Sequence, residues 1–215
     1  MRLHLASTSP ARLALLRQSG IEPLQVSPDV DEDAVVLAAT GAAGAPLNPA
    51  EVVELLARAK ADAVADSAGT DIDGLILGGD SVFVLDDVIY GKPHTAAVAK
   101  ARWQQQRGRT GVLYSGHWLI DHVGGQRGRA VGAVAQASVT FAADIPDAEL
   151  DAYIATGEPL FVAGAFTIDS LGAPYITRID GDPSTVIGLS LPTLRGLVHE
   201  LGYDWPSLWN RAGSL

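Results

Sequence analysis

One carboxylate stands out in the sequence. Asp80 directly follows Leu75-Ile76-Leu77-Gly78-Gly79, a run that reads as a buried strand ending in an acid. Glycines at a strand end let a ligand or a second backbone come close. Open α/β sheets bind their ligands at the carboxyl ends of strands, so Asp80 is a candidate metal ligand or general base. Gly-Asp-Ser is equally good turn chemistry. A second candidate is Ser7-Thr8-Ser9-Pro10-Ala11-Arg12. Here a strand runs into a hydroxyl-rich turn that opens a helix, and free helix N–H groups, hydroxyls and Arg12 can converge on a phosphate. Taken alone, the segment is also a plain N-cap with a solvated arginine.

The cations are unevenly chosen. Twelve arginines accompany three lysines, Lys60, Lys92 and Lys100, as in the product of a GC-rich genome, where a lysine that persists is worth noting. Lys60 lies four residues after Leu56 and three before Ala63, beside the apolar stripe of a helix. It either snorkels to the surface or meets an anion in a cleft. Lys92 sits between Gly91 and Pro93, a stiff turn suited to a fixed cation or to simple exposure. Position 86 is Asp, and Pro93 stands where a Walker A loop needs Ser or Thr, so the segment is not a P-loop. Asp31-Glu32 is a solvated turn or a place for one carboxylate to hold a divalent cation with water. Gly79-Asp80-Ser81-Val82-Phe83 is half a nucleophile elbow, since Phe83 replaces the second glycine. A serine esterase built on Ser81 or Ser115 is the weaker alternative. His4, His94, His117, His122 and His199 lack H-E-x-x-H spacing and read as structural or surface residues.

Composition bounds these candidates. The 215 residues are 47% apolar and 19% charged, enough for a sizeable core. A formal charge of −10 argues against a non-specific nucleic-acid binder, which needs a basic face. It leaves room for a small anion if cations are concentrated locally or a metal assists. With no cysteine, disulfides, thiolate nucleophiles and Cys-type metal centres are excluded. The first residues lack the apolar stretch of a signal peptide. The uncharged stretch 34–50 is broken by glycine and proline and is short for a bilayer. The expectation is a soluble cytoplasmic protein with no membrane or nucleic-acid polymer as partner.

The elements that must position the candidates follow from pattern. A strand at Arg2–Ala6 leads to a helix from Pro10 to about Ser19, stopped by Gly20. A short strand at Leu24–Ser27 precedes an acidic turn, Asp29–Asp33, and a loop at Thr40–Pro46. Asn48-Pro49-Ala50-Glu51 opens a helix to about Ala65, with Val52, Leu56, Ala59 and Ala63 as its stripe. A hairpin turns at Asp86-Asp87, and Thr95 caps a helix ending at Gly108. A long hairpin spans Thr110–Val123 and Arg129–Ala142. A helix at Pro146–Thr156, strands at Ala165–Ile168 and Ala173–Ile179, and a helix at Pro192–Leu201 complete the chain. Trp205, Leu208 and Trp209 are expected to pack on the core. Irregular alternation predicts a mixed α/β sheet rather than a Rossmann fold.

These segments together resemble the Maf family, the septum-formation-associated nucleotide pyrophosphatases. The likeness spans nearly the whole chain. It is carried by Leu5–Arg12, Val30-Asp31-Glu32, Ala57–Ala61, Gly79–Val82, Gly91-Lys92-Pro93, Thr156–Pro159, Ala163–Phe166 and Gly181–Leu189. The resemblance implies one Maf-like domain over residues 1–215, with a curved mixed sheet flanked by helices and a deep cleft between two lobes. It implies hydrolysis of a nucleoside triphosphate to monophosphate and pyrophosphate, with a divalent metal such as Mg²⁺ or Mn²⁺, and often a homodimer. By this likeness Asp80 is the proton acceptor, and Ser7, Ser9, Arg12, Glu32, Lys60 and Lys92 line the substrate pocket. The metal ligands stay unassigned. Base preference falls to Ala11, Ser81 and Asp169, three positions where this chain departs from its relatives. Ser190 replaces a proline usual after Gly-Leu. A nucleotide-binding regulator of division using the same pocket is the competing reading.

Overall fold

Leu3–Ala6, apolar except for His4, forms the fully buried strand β1, and Pro10–Gln18 forms helix α1. Between them Ser9 caps α1, its Oγ accepting a long bond of 3.4 Å from Arg12 N–H, with Pro10 as the first helical residue. The structure, a computed structural model, describes residues 1–68 and 71–211. Leu24–Val26 is β2, Glu32–Ala43 is α2 and Pro49–Ala68 is α3. Gly74–Leu85 is β3, Val88–Tyr90 is β4 and Ala96–Gln106 is α4. Thr110–His122 and Ala130–Phe141 are β5 and β6, followed by α5 at Asp147–Ala155. Ile176–Asp180 is β7, Pro183–Ile187 is α6 and Leu191–Glu200 is α7.

The seven strands form one open sheet in the order β2-β1-β3-β5-β6-β7, with β4 also on β3. β1 runs parallel to β2 and β3, while the β3–β4 and β6–β7 pairs are antiparallel. The mixed α/β sheet expected from the irregular alternation is therefore present, with helices flanking it. The chain divides into two compact units. The first comprises Met1–Asp80, Ser115–Ala135 and Gly188–Leu215; the second comprises Ser81–Tyr114 and Gln136–Ile187.

In the first unit, a reciprocal capping box opens α3. Asn48 Oδ1 accepts from Glu51 N–H at 3.0 Å, and Glu51 Oε2 accepts from Asn48 N–H at 2.8 Å. The buried face of α3 differs from the expected one: Val53, Leu56, Ala57, Ala61, Val64 and Ala65 point inward, while Val52, Ala59 and Ala63 are only half-buried. The correction matters because Lys60 then lies inside the buried stripe rather than beside it. Helix α2 is also a correction, since its start was expected to be part of an acidic turn and its end part of a loop, with no element assigned between them. Asp31 Oδ1 caps it by accepting from Ala34 N–H at 3.0 Å, and Gly44 ends it at φ +71°. Nothing in α2 is fully buried, so no apolar face marks it in the sequence. The predicted break after Asp80 does not occur either. β3, 12 residues long, continues past Asp80 to Leu85, so Asp80 lies in mid-strand. At the C-terminal end Leu208 is buried as expected, whereas Trp209 is 54% exposed.

The second unit is built on aromatic rings. Phe141 meets Phe83, Trp103 and Phe166 edge-on at centroid distances of 5.8, 5.4 and 5.0 Å. The β3–β4 hairpin turns through Asp86 (φ +51°) and Asp87 (φ +61°), the geometry of a tight hairpin turn. The strand expected at Ala165–Ile168 does not form. Gly164 and Ala165 adopt φ of +74° and +61°, and their carbonyls accept from Gln106 Nε2 and Trp103 Nε1, both at 2.7 Å. Ala173–Tyr175 is a 3₁₀ turn, and the following strand is confined to β7. Among the described residues, no helix is long and apolar enough to cross a membrane.

Candidate active site

The register of β1 on β3 brings the first candidates together. Ala6 lies opposite Gly78, so the Ser7–Ser9 turn leaves β1 beside Gly79 and Asp80. Gly78 and Asp80 share one face of β3, and Gly79 faces the other way. A side chain on Gly78 would strike the Ala57 carbonyl and come within 2.9 Å of Ala61 N, so glycine lets α3 lie directly on the strand. That close approach sets Lys60 over Asp80, with Nζ 2.6 Å from Asp80 Oδ1. The same ammonium is 2.7 Å from Glu32 Oε1. A Cβ on Gly79 would stand 3.2 Å from Arg12 Nε, so the second glycine makes room for the guanidinium.

Arg12 is buried and held at several points. Its Nε donates to Gly188 O at 2.7 Å and its Nη1 to Ser7 Oγ at 3.1 Å. The Ser7 hydroxyl also accepts from Ser9 N–H at 3.2 Å, and Gln25 Nε2 donates to Ser7 O at 2.8 Å. Burial disfavours the charge on Arg12, while the Asp80 and Glu32 carboxylates support it. A guanidinium stays charged in such a setting. Burial also pushes the Asp80 carboxyl above its ordinary value of 3.8, against the pull of Lys60 and Arg12, and the nearby Glu32 charge adds to the rise.

The first unit thus gathers Ser7, Ser9, Arg12, Glu32, Lys60 and Asp80. Ala11 stands beside Arg12 in α1, half-buried. Such a group can bind an oxyanion through Arg12, Ser7 and the α1 N-terminus. It also offers a buried carboxylate whose raised pKa makes it a stronger base than free aspartate.

Lys92, Ser81 and Asp169 belong to the second unit. Lys92 is exposed on a turn pinned by Arg102, which stacks 5.4 Å from the Tyr90 ring centroid and donates to the Gly91 carbonyl. Ser81 follows Asp80 within β3, so the strand-to-helix turn of a nucleophile elbow is absent there; Ser115 is fully buried in β5. Asp169 is exposed in a loop gathered by Glu158. The Glu158 carboxylate accepts from Thr167 Oγ1, from Tyr153 OH and Gly172 N–H at 3.1 Å, and from Leu171 N–H at 3.3 Å. Burial works to raise the Glu158 carboxyl, and these hydrogen bonds, with one from Ser170, bring it below its usual value.

Sequence reading missed several supporting groups. Gln25, the Gly188 carbonyl and Glu158 carry no spacing that marks them; Glu158 entered only as one letter of Thr156–Pro159. His117, read as structural or surface, is fully buried, and its Nε2 accepts from Ser190 N–H at 2.8 Å.

Comparison with known proteins agrees with this reading. The family model described as Maf-like protein matches residues 2–201. A protein of Leifsonia xyli subsp. xyli named nucleoside triphosphate pyrophosphatase is 63% identical over 214 residues, covering 99% of both chains. Proteins of the same name from Mycobacterium sp. (strain JLS) and Corynebacterium diphtheriae are 50% and 46% identical, each covering 98% of this chain and 99% of the relative. Likeness of this extent, over segments that include the Arg12, Lys60 and Asp80 cluster, places the chain in the Maf family.

Proposed function

We propose that this chain is a nucleoside triphosphate pyrophosphatase, hydrolysing the α–β phosphoanhydride to a nucleoside monophosphate and pyrophosphate. The observation that carries the reading is the buried Lys60–Asp80 contact, 2.6 Å long, beside a buried Arg12. The family membership and the name shared by full-length relatives support it.

Phosphoanhydride hydrolysis needs charge neutralisation and an aligned water more than covalent chemistry. In the proposed mechanism Asp80 orients a water and accepts its proton as the oxygen attacks the α-phosphorus. The α–β bridging oxygen leaves with pyrophosphate. Arg12, Lys60 and the N–H groups opening α1 take up charge on the phosphate oxygens, and Ser7 and Ser9 orient them.

Among the described residues no three His, Cys, Asp or Glu side chains gather as a metal site. The residues still fit a hard cation, because Mg²⁺ is commonly held by one or two carboxylates together with substrate phosphates and waters. Asp80 and Glu32, both meeting the Lys60 ammonium, are the carboxylates that would hold it. When bound, Mg²⁺ or Mn²⁺ neutralises phosphate charge and polarises the phosphoryl oxygens.

The roles given to Lys92 on phosphate and to Ala11, Ser81 and Asp169 on the base rest on the family likeness. We place the enzyme in the cytoplasm, acting on free nucleotides, with a homodimer as its expected form. Asp80→Asn tests the central assignment: pyrophosphate release should fall by about 10²–10⁴-fold with the circular dichroism spectrum unchanged. Near-normal turnover in the folded variant would remove Asp80 from the mechanism. Turnover of ordinary and methylated nucleoside triphosphates, compared between wild type and Asp169→Asn, tests the base assignment.

A further inference from the structure

Arg12 is held from behind by a segment that has its own anchor. Gly188 O accepts from Arg12 Nε at 2.7 Å, and two residues later Ser190 N–H donates to His117 Nε2 at 2.8 Å. His117 is fully buried in β5, and its Nδ1 lies 3.3 Å from Ala133 O. An imidazole nitrogen that accepts from an amide carries no proton, so His117 is the neutral tautomer with its proton on Nδ1, facing the Ala133 carbonyl. Ser190 also caps α7, its Oγ accepting from Thr193 N–H at 3.2 Å. The three residues 188–190 are therefore fixed by a strand at one point and by a helix start at another. Along that fixed stretch stands the carbonyl that orients the guanidinium.

We propose that His117 is a positioning residue for the reaction. By accepting from Ser190 N–H it fixes the 188–190 segment, and through the Gly188 carbonyl it sets the direction of Arg12. This rests on the reading of Arg12 as a phosphate ligand given above. Two geometric facts support the chain of action. Both ends of the relay are buried, so no water competes for its hydrogen bonds. Each link joins residues remote in sequence, 176 positions apart for Arg12–Gly188 and 73 for His117–Ser190, so neither follows from local structure.

The test compares His117→Gln, whose side-chain oxygen can replace the Nε2 acceptor, with His117→Leu, which cannot accept. His117→Leu should lower kcat/KM about 10- to 100-fold, the scale of a small misplacement of a charge clamp. His117→Gln should recover most of that loss. The deciding readout is a double-mutant cycle with Arg12→Lys: if His117 acts through Arg12, His117→Leu costs little more in that background. Additive losses would overturn the proposal, as would a His117→Leu enzyme with wild-type kcat/KM.

Should His117→Leu fail to fold, Ser190→Pro removes the same bond from the other side. It puts back the proline usual at this position in the family likeness, and the loss is expected because this chain anchors the segment through the Ser190 N–H instead. The Ser190 φ of −72° suits proline. Ser190→Ala, which keeps the N–H and loses only the cap, is its control. Ser190→Pro matching Ser190→Ala in kcat/KM would equally refute the relay. Wild-type pyrophosphate release is measured first. Its absence would refute the proposed function on its own, and the relay would then be judged by wild-type and variant affinity for inorganic pyrophosphate.

Discussion

At the residue scale the site is a compromise between burial and charge. Asp80 is buried, and its carboxyl titrates above the ordinary 3.8 despite Lys60 and Arg12. A carboxyl raised in the folded state favours the protonated form there, whereas the unfolded chain ionises freely. Below the ordinary carboxylate value both states are protonated and nothing is lost; as pH rises through that value towards the raised one, the folded state loses stability, and the full penalty persists above it. Asn imitates the protonated form. Asp80→Asn should therefore raise Tm at neutral pH, with the gain vanishing as pH falls below about 4, measured by thermal unfolding across pH. A lower Tm at neutral pH would contradict this account of Asp80. In kinetics the same rise places the acid limb of kcat/KM above the usual aspartate range, because the base must be ionised. Lys60→Met should do the opposite to stability, since it leaves the Asp80 charge buried without its nearest cation. A loss of about 3–5 kcal/mol is the scale for breaking such a buried pair, checked by urea unfolding.

At the element scale two neighbouring glycines in β3 do different jobs and should fail differently. Gly78→Ala drives a methyl into the backbone of α3, which cannot yield locally, and overpacking of this kind costs about 1–3 kcal/mol or more. Gly79→Ala crowds the Arg12 side chain at 3.2 Å and meets the Gly116 carbonyl only at an ordinary 3.6 Å, so it should leave Tm nearly unchanged and raise KM. Denaturant midpoints and steady-state kinetics on the two variants separate these outcomes. The elements themselves were legible where a cap or a period marked them: Ser9-Pro10, Asn48-Pro49-Ala50-Glu51, Thr95 and the Asp86-Asp87 turn all do locally what their chemistry dictates. Helix α2 escaped because it is apolar around its circumference and buries nothing fully. The five-residue α6 is too short to show a period. β3 looked as if it ended at Asp80 because two glycines followed by Asp80 and Ser81 imitate a turn, while tertiary pairing carries the strand on to Leu85. Of the candidate site, the residue types were readable, but the contacts of Lys60 with Asp80 and of Arg12 with Gly188 span 20 and 176 positions, distances over which sequence pattern has no reach.

At the scale of the whole molecule, charge governs what the site requires. The chain carries −10, and the two cations and two carboxylates of the cluster cancel one another. A triphosphate approaching them meets no net attraction unless counter-charge arrives with it. Chelation by EDTA should therefore reduce pyrophosphate release by more than about tenfold, with Mg²⁺ or Mn²⁺ restoring it. Full activity in excess chelator would show that Arg12 and Lys60 suffice.

The first residue of α2 touches Lys60, yet no side chain of that helix is fully buried and Leu37 is 75% exposed. Glu32 is thus delivered by an element that could unwind at little expense while the sheet stays intact. Its amides should exchange with deuterium sooner than those of α3. The ammonium would then alternate between two carboxylate partners and one on the timescale of that opening.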